Sequence, residues 1–190
     1  YDNALNRANL SDSTGYRISY STTPRKHVTG DLDAITVSRA TGGAARFKTL
    51  PPAVARLFVA RQCVVTGIDG GATLVSINFH AHLLGREMGA SLWRDGRRVP
   101  LRYERSWDFE DQSDVDLTAR NLTVRSGDLL TVACLYDTTG RDSVTAFGEA
   151  TTDEMCWVNL RYYPQDPEAA CAAPDDDTYI GALDASERME

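Results

Sequence analysis

Apolar and polar positions alternate along much of the chain. Gly15-Tyr16-Arg17-Ile18-Ser19-Tyr20 and Leu32-Asp33-Ala34-Ile35-Thr36-Val37 both follow a period of two, which sends successive side chains to opposite faces of an extended strand. Further runs of strand character fall at 55–65, 73–84, 89–94, 98–104, 121–125, 129–136, 143–148 and 155–163. Turn chemistry separates them at Ile68-Asp69-Gly70-Gly71, Arg94-Asp95-Gly96-Arg97, Ser126-Gly127-Asp128 and Thr138-Thr139-Gly140. Asp95-Gly96 sits between two short alternating runs and predicts a two-residue hairpin. No stretch keeps a helical period over a useful length, and no internal repeat is evident. Many short strands at this spacing predict an all-β fold, an antiparallel β-sandwich or jelly roll. The stretch 106–118, with Trp107, Phe109, Glu110, Asp111, Asp114 and Asp116, reads as a long acidic loop, and loops of that length often carry function.

Size and charge refine this picture. The 190 residues fit one sizeable domain. The formal charge of -7 is unevenly placed: residues 166–190 hold eight acids against one base, Arg188, leaving residues 1–165 neutral. The expected organisation is therefore a β-sandwich domain over 1–165 and an acidic, partly disordered tail over 166–190. The body carries no basic stripe, which argues against a nucleic-acid partner. No apolar stretch approaches the roughly 20 residues of a membrane span. The chain opens Tyr1-Asp2-Asn3-Ala4 without a signal peptide or an initiating Met, and is expected to be a processed product or part of something longer.

Four cysteines, Cys63, Cys134, Cys156 and Cys171, allow three pairings, and none has the spacing of a zinc knuckle or redox motif. Asn9-Leu10-Ser11 and Asn121-Leu122-Thr123 are candidate glycosylation sequons. An even cysteine count, two sequons and only two lysines fit a secreted, oxidising setting.

The candidate chemistry lies in Ser76-Ile77-Asn78-Phe79-His80-Ala81-His82-Leu83. On a strand the odd positions, Ile77, Phe79, Ala81 and Leu83, face the core, and His80 and His82 share the other face. Side chains two apart stand roughly 6.5–7 Å apart along a strand, close enough for both imidazoles to reach one metal. The plainer reading is two polar-face histidines bonded to neighbours or water. Two methionines are candidates for a soft third ligand. Met155, in Thr152-Asp153-Glu154-Met155-Cys156-Trp157, stands where a strand begins; Met88 is six residues past His82. Either reads equally well as a core residue. Imidazole suits several transition metals, but thioether sulfur selects copper, above all Cu(I).

The block Asn78-Phe79-His80-Ala81-His82-Leu83-Leu84-Gly85-Arg86 resembles the His-Thr-His-Leu-x-Gly-Arg block of the copper type II, ascorbate-dependent monooxygenases. Three other blocks resemble that family in order: Asp12-Ser13-Thr14-Gly15-Tyr16-Arg17-Ile18-Ser19-Tyr20, Gly127-Asp128-Leu129-Leu130-Thr131-Val132-Ala133-Cys134, and Asp153-Glu154-Met155-Cys156 followed by Arg161-Tyr162-Tyr163-Pro164. Together they cover about residues 1–171. The resemblance implies one copper per chain held by His80, His82 and Met155, which favours Met155 over Met88. It implies disulfides Cys63–Cys171, tying the tail back to the domain, and Cys134–Cys156. It also implies a secretory-vesicle or extracellular location.

The implied activity is hydroxylation of an activated C–H bond with O2, ascorbate supplying the electrons. Peptide-hydroxylating members place an Arg two residues before the first His, and an Asn and a Tyr after the Met. This chain has Asn78, Trp157 and Asn159 there, which argues against a glycine-extended peptide, while the Tyr162-Tyr163-Pro164 ending and the Asp12-Ser13-Thr14-Gly15 entry lean to the amine hydroxylases and so to a small amine-like substrate. The family carries a second, electron-delivering copper on three histidines of a preceding domain. Here His27 is the one histidine besides the pair, so the chain is expected to be the catalytic-copper half, incomplete alone, with that upstream domain as its partner. Two other classes use the same residues: a secreted structural module that keeps the fold, and a copper-binding carrier.

Overall fold

In the computed structural model, residues 8–35, 49–172 and 178–182 are described. They build two antiparallel sheets around one core. The first sheet takes β1 (Gly30–Ile35), β11 (Cys156–Tyr163), β4 (Ala72–Ala81) and β7 (Val115–Asp116) in that spatial order, and β8 (Thr123–Val124) also pairs with β4. The second runs β12 (Ala170–Ala172), β3 (Leu57–Thr66), β9 (Leu129–Tyr136), β5 (Gly85–Arg94) and β6 (Arg97–Glu104), with β13 (Thr178–Ala182) also on β3. A small ladder joins β2 (Thr49–Leu50) to β10 (Thr145–Ala146). Among the described residues the helical element is a single 3-10 turn, Thr118–Arg120, and no helix is long and apolar enough to cross a membrane.

Alternation is what closes the sandwich. On β11 every second residue, Cys156, Val158, Leu160 and Tyr162, is buried, and on β3 Leu57, Val59, Cys63 and Val65 meet them in the same core. At the predicted hairpin Arg94 pairs with Arg97, and Asp95 (φ 52) and Gly96 (φ 74) both take the left-handed conformation that a two-residue turn needs. Cys134 on β9 is bonded to Cys156 on β11, a covalent link between the two sheets. Cys63 on β3 is bonded to Cys171 on β12.

Four expectations meet a different outcome. Residues 15–20 alternate but form no strand, because no ladder partner lies beside them among the described residues. Leu83 was expected to face the core and is 50% exposed. The strand ends at Ala81, a turn closed by Gly85 N–H to His82 O follows, and Leu84 takes the inward place instead. The acidic stretch 106–118 contains β7, which pairs Val115 with Ile77, and so is only partly loop. Past residue 165, β12 and β13 continue the second sheet along β3, so the segment expected as a tail contributes two strands. Thr36 and Val37, from the second alternating run, and most of the acidic end lie outside the described residues.

Candidate metal centre

The odd positions of β4 face the core, with Ile77, Phe79 and Ala81 all at 0% exposure. Asn78 and His80 therefore stand on the outer face of the first sheet. In the β4–β11 register His80 lies opposite Trp157 and Ala81 opposite Cys156. His82 and Met155 are the next residues along the two chains, both beyond the end of the ladder. The imidazoles of His80 and His82 are 5.1 Å apart between centroids and nearly perpendicular.

Each ring is oriented through the same nitrogen. His80 Nδ1 is 2.5 Å from Gln112 Oε1, and His82 Nδ1 is 3.0 Å from the main-chain oxygen of Asp153. Gln112 Nε2 donates to Phe109 O, which leaves its oxygen, a pure acceptor, turned to His80. Both partners accept, so both Nδ1 atoms carry a proton, and in the neutral form of each ring the lone pair is on Nε2. Burial holds His80 below the ordinary imidazole range. The Gln112 bond works against this, and the neighbouring His82 adds to it. A neutral ring with a free Nε2 is the form that ligates a metal.

A coil from Arg105 to Asp114 covers this face. Trp107 N–H bonds Arg86 O, and its ring lies so close to Gly85 that a Cβ there would stand 2.8 Å from Trp107 Cδ1. Phe109 meets His82 edge-on at 6.3 Å, and Gln112 O accepts from Asn78 Nδ2. On the other side the Trp157 ring packs edge-on to His80 at 5.8 Å, and both Trp157 Nε1 and Asn159 Nδ2 donate to Asp33 Oδ1.

The segment before β11 is held as firmly. The fully buried Glu154 accepts main-chain N–H bonds from His82 (3.0 Å), Leu84 (2.6 Å) and Met155 (3.3 Å). Burial pushes its carboxyl up, and the Leu84 and His82 bonds pull it back. Tyr136 donates its hydroxyl to Met155 O at 2.6 Å, two residues along β9 from the disulfide-bonded Cys134. Met155 is thus fixed through its N–H, its carbonyl and the next residue, and its side chain is only partly buried. Met88, the rival, is at 0% exposure in the core between the sheets.

Among the described residues no three His, Cys, Asp or Glu side chains come together as a metal site. A metal at the imidazole pair therefore needs a ligand of another kind, and a thioether is one. In the sequence Glu154 stands only as a member of the Asp153-Glu154-Met155-Cys156 block and Gln112 only within the stretch 106–118, because the groups that give them their roles, the His82 and Leu84 N–H groups and His80 Nδ1, lie 70–72 and 32 residues away.

The family model described as "Copper type II ascorbate-dependent monooxygenase, C-terminal domain" matches residues 45–183. The chain belongs to the copper type II ascorbate-dependent monooxygenase family. Its relatives include DBH-like monooxygenase protein 1 of Homo sapiens, 29% identical over 93% of this chain and 29% of that protein. Dopamine beta-hydroxylase of Rattus norvegicus is 24% identical over 95% of this chain and 29% of its own length. Tyramine beta-hydroxylase of Caenorhabditis briggsae is 32% identical over 58% of this chain and 19% of that protein. The chain thus spans less than a third of each of these relatives.

Proposed function

We propose that this chain is the oxygen-activating copper half of a monooxygenase that hydroxylates an activated C–H bond of a small amine-like substrate. One copper is held by His80 Nε2, His82 Nε2 and Met155 Sδ. The observation that carries the reading is the shared orientation of the two rings, each with Nδ1–H spent on a carbonyl oxygen and Nε2 left free. Met155 follows from the β4–β11 register and from its partly exposed side chain. Two neutral imidazoles and a thioether are a soft, uncharged donor set that suits Cu(I).

When bound, the copper supplies O2 binding and one-electron chemistry. Overall, one oxygen atom enters the C–H bond and the other leaves as water, with two electrons from ascorbate and two protons. This chain's own residues provide orientation. Gln112 and Asp153 O fix the tautomers, Glu154 and Tyr136 fix the segment bearing Met155, and Trp157 and Phe109 wall the site against water. Asp33 beside Trp157, and Glu110 and Asp111 on the covering coil, are the carboxylates offered to a cationic amine, while Asp114 is paired with Arg161. The electrons arrive through a second copper in a domain that precedes this one. Two disulfides and exposed sequons at Asn9 and Asn121 fit maturation in a secretory compartment.

The test is Cu(I) titration with X-ray absorption on the purified chain, His80→Ala and Met155→Ala. One tight site with nitrogen and sulfur scattering is expected. Sulfur should vanish in Met155→Ala, and binding should collapse in His80→Ala. Absence of stoichiometric binding, or sulfur scattering unchanged in Met155→Ala, would leave a sandwich used for structure or contact.

A further inference from the structure

Residues 15–20 have the composition and period of a strand but no sheet. Tyr16, Ile18 and Tyr20 fall on one side of an extended chain at 95%, 82% and 87% exposure, and Arg17 and Ser19 fall on the other. Aromatic and β-branched residues at period two fit a pleated surface that is covered on one face, and they are not the composition of a disordered linker. Both ends of the run are marked locally. Asp12 Oδ1 accepts from Thr14 N–H and Thr14 Oγ1, and Ser21 Oγ accepts from Thr23 N–H, with Pro24 following. Such side-chain turns delimit a strand without help from a neighbour.

The described residues of this domain supply no partner strand for it. Among the described residues no main-chain group of 15–20 bonds to another main-chain group. The first strand downstream, β1, begins ten residues on and, among the described residues, pairs with β11 alone. The C-terminal domain model begins at residue 45, whereas the match to rat dopamine beta-hydroxylase covers 95% of the chain, leaving at most about ten terminal residues outside it. Residues 15–20 therefore lie inside the stretch shared with that relative but ahead of the matched residues 45–183 and of β1, the first strand of this domain's sheet.

We propose that residues 15–20 are a strand of the preceding domain's sheet rather than of this one, docked on its edge through main-chain pairing and through Tyr16, Ile18 and Tyr20. Exposed strand edges and apolar rows of this size are normally covered. The proposal rests on the reading that this chain is one part of a longer two-domain polypeptide. It does not depend on copper.

Hydrogen–deuterium exchange on the 190-residue chain and on the longer native polypeptide tests it. In the chain alone, amides 15–20 should exchange without protection. In the longer polypeptide they should slow by at least about 100-fold, as paired strand amides do. Replacing Tyr16, Ile18 and Tyr20 with Ser should leave the unfolding midpoint and Cu(I) binding of the isolated chain unchanged, and should lower the unfolding temperature of the preceding domain in the longer form. Equal exchange in both forms, or a native polypeptide with no domain ahead of this segment, overturns the proposal. So does protection in the chain alone that rises with concentration, which would assign the strand to a second copy. If the copper titration fails while protection appears, only the metal assignment falls.

Discussion

The Glu154 carboxylate accepts a 2.6 Å bond from the main-chain N–H of Leu84, a residue 70 positions earlier. The same side chain takes the His82 and Met155 N–H groups, so one buried group joins the turn after β4 to the start of β11. An amide offers one accepting oxygen, and its NH2 would face a donor. Glu154→Gln should therefore destabilise the chain by about 2 kcal/mol and Glu154→Ala by about 2–5 kcal/mol, from buried N–H groups left unpaired. Urea unfolding of the metal-free chain checks this. An effect under about 0.5 kcal/mol for both variants, the range of ordinary surface substitutions, would mean that water replaces the carboxylate.

Gln112 fixes the His80 ring from the covering coil. Gln112→Leu leaves Nδ1 without its acceptor, so the ring is free to flip or change tautomer. Cu(I) affinity, read by competition with a chromophoric chelator, should fall about 10–100-fold, the usual loss when a partner behind a ligand is removed. Unfolding stability should change little, since Gln112 sits on a partly exposed coil. Unchanged affinity would show that Trp157 alone holds the ring.

The two disulfides should separate stability from metal binding. Cys63–Cys171 closes 108 residues and Cys134–Cys156 closes 22. Loop entropy gives about 4–5 kcal/mol for the first and about 3 kcal/mol for the second. Replacing Cys63 and Cys171 with Ser should lower stability with Cu(I) affinity intact. Replacing Cys134 and Cys156 should lower both, because Cys156 follows Met155. Equal Cu(I) affinity in the two double variants would contradict that division.

Tyr103 on β6 donates its hydroxyl to Glu87 on β5. Burial, then the bond and charge of Glu87, push its phenol up to about 12 from 10.0. With the folded value above the unfolded one, the neutral phenol's contribution is complete below about pH 10 and fades as pH rises towards 12. Glu87→Gln should bring the Tyr103 ionisation down towards 10, visible in an alkaline ultraviolet titration against Tyr103→Phe. A titration curve identical to the parent's would remove Glu87 as a cause.

Local alternation was enough to find most strands, because each has one face on the core. It could not reveal where the phase changes. On β4, Arg161 pairs with Ser76 but Tyr162 pairs with Leu74, leaving Val75 as a bulge. Leu74 and Ile77 can then both be buried, although three positions apart. The short strands β2, β7 and β12 were invisible, since two or three residues carry no period. The histidine pair and Met155 stand out in the sequence as candidate ligands, whereas Glu154 appears there only as a member of the Asp153-Glu154-Met155-Cys156 block, with no role attached. Its role depends on main-chain groups that folding brings to it. Residues 15–20 are the converse: the local signal is strong and the partner is elsewhere.

His82 is held by Asp153 O and Glu154, which follow it by 71 and 72 residues. A ribosome-bound chain ending before β11 would already carry both imidazoles and Gln112 behind His80, yet nothing would aim His82. On the proposed copper assignment, metal capture in a defined geometry waits until synthesis has passed Tyr163 and the two sheets have closed. On the same assignment the His80–His82 pair is an open chelator before that point, and the order of events during biosynthesis becomes part of how the metal is chosen.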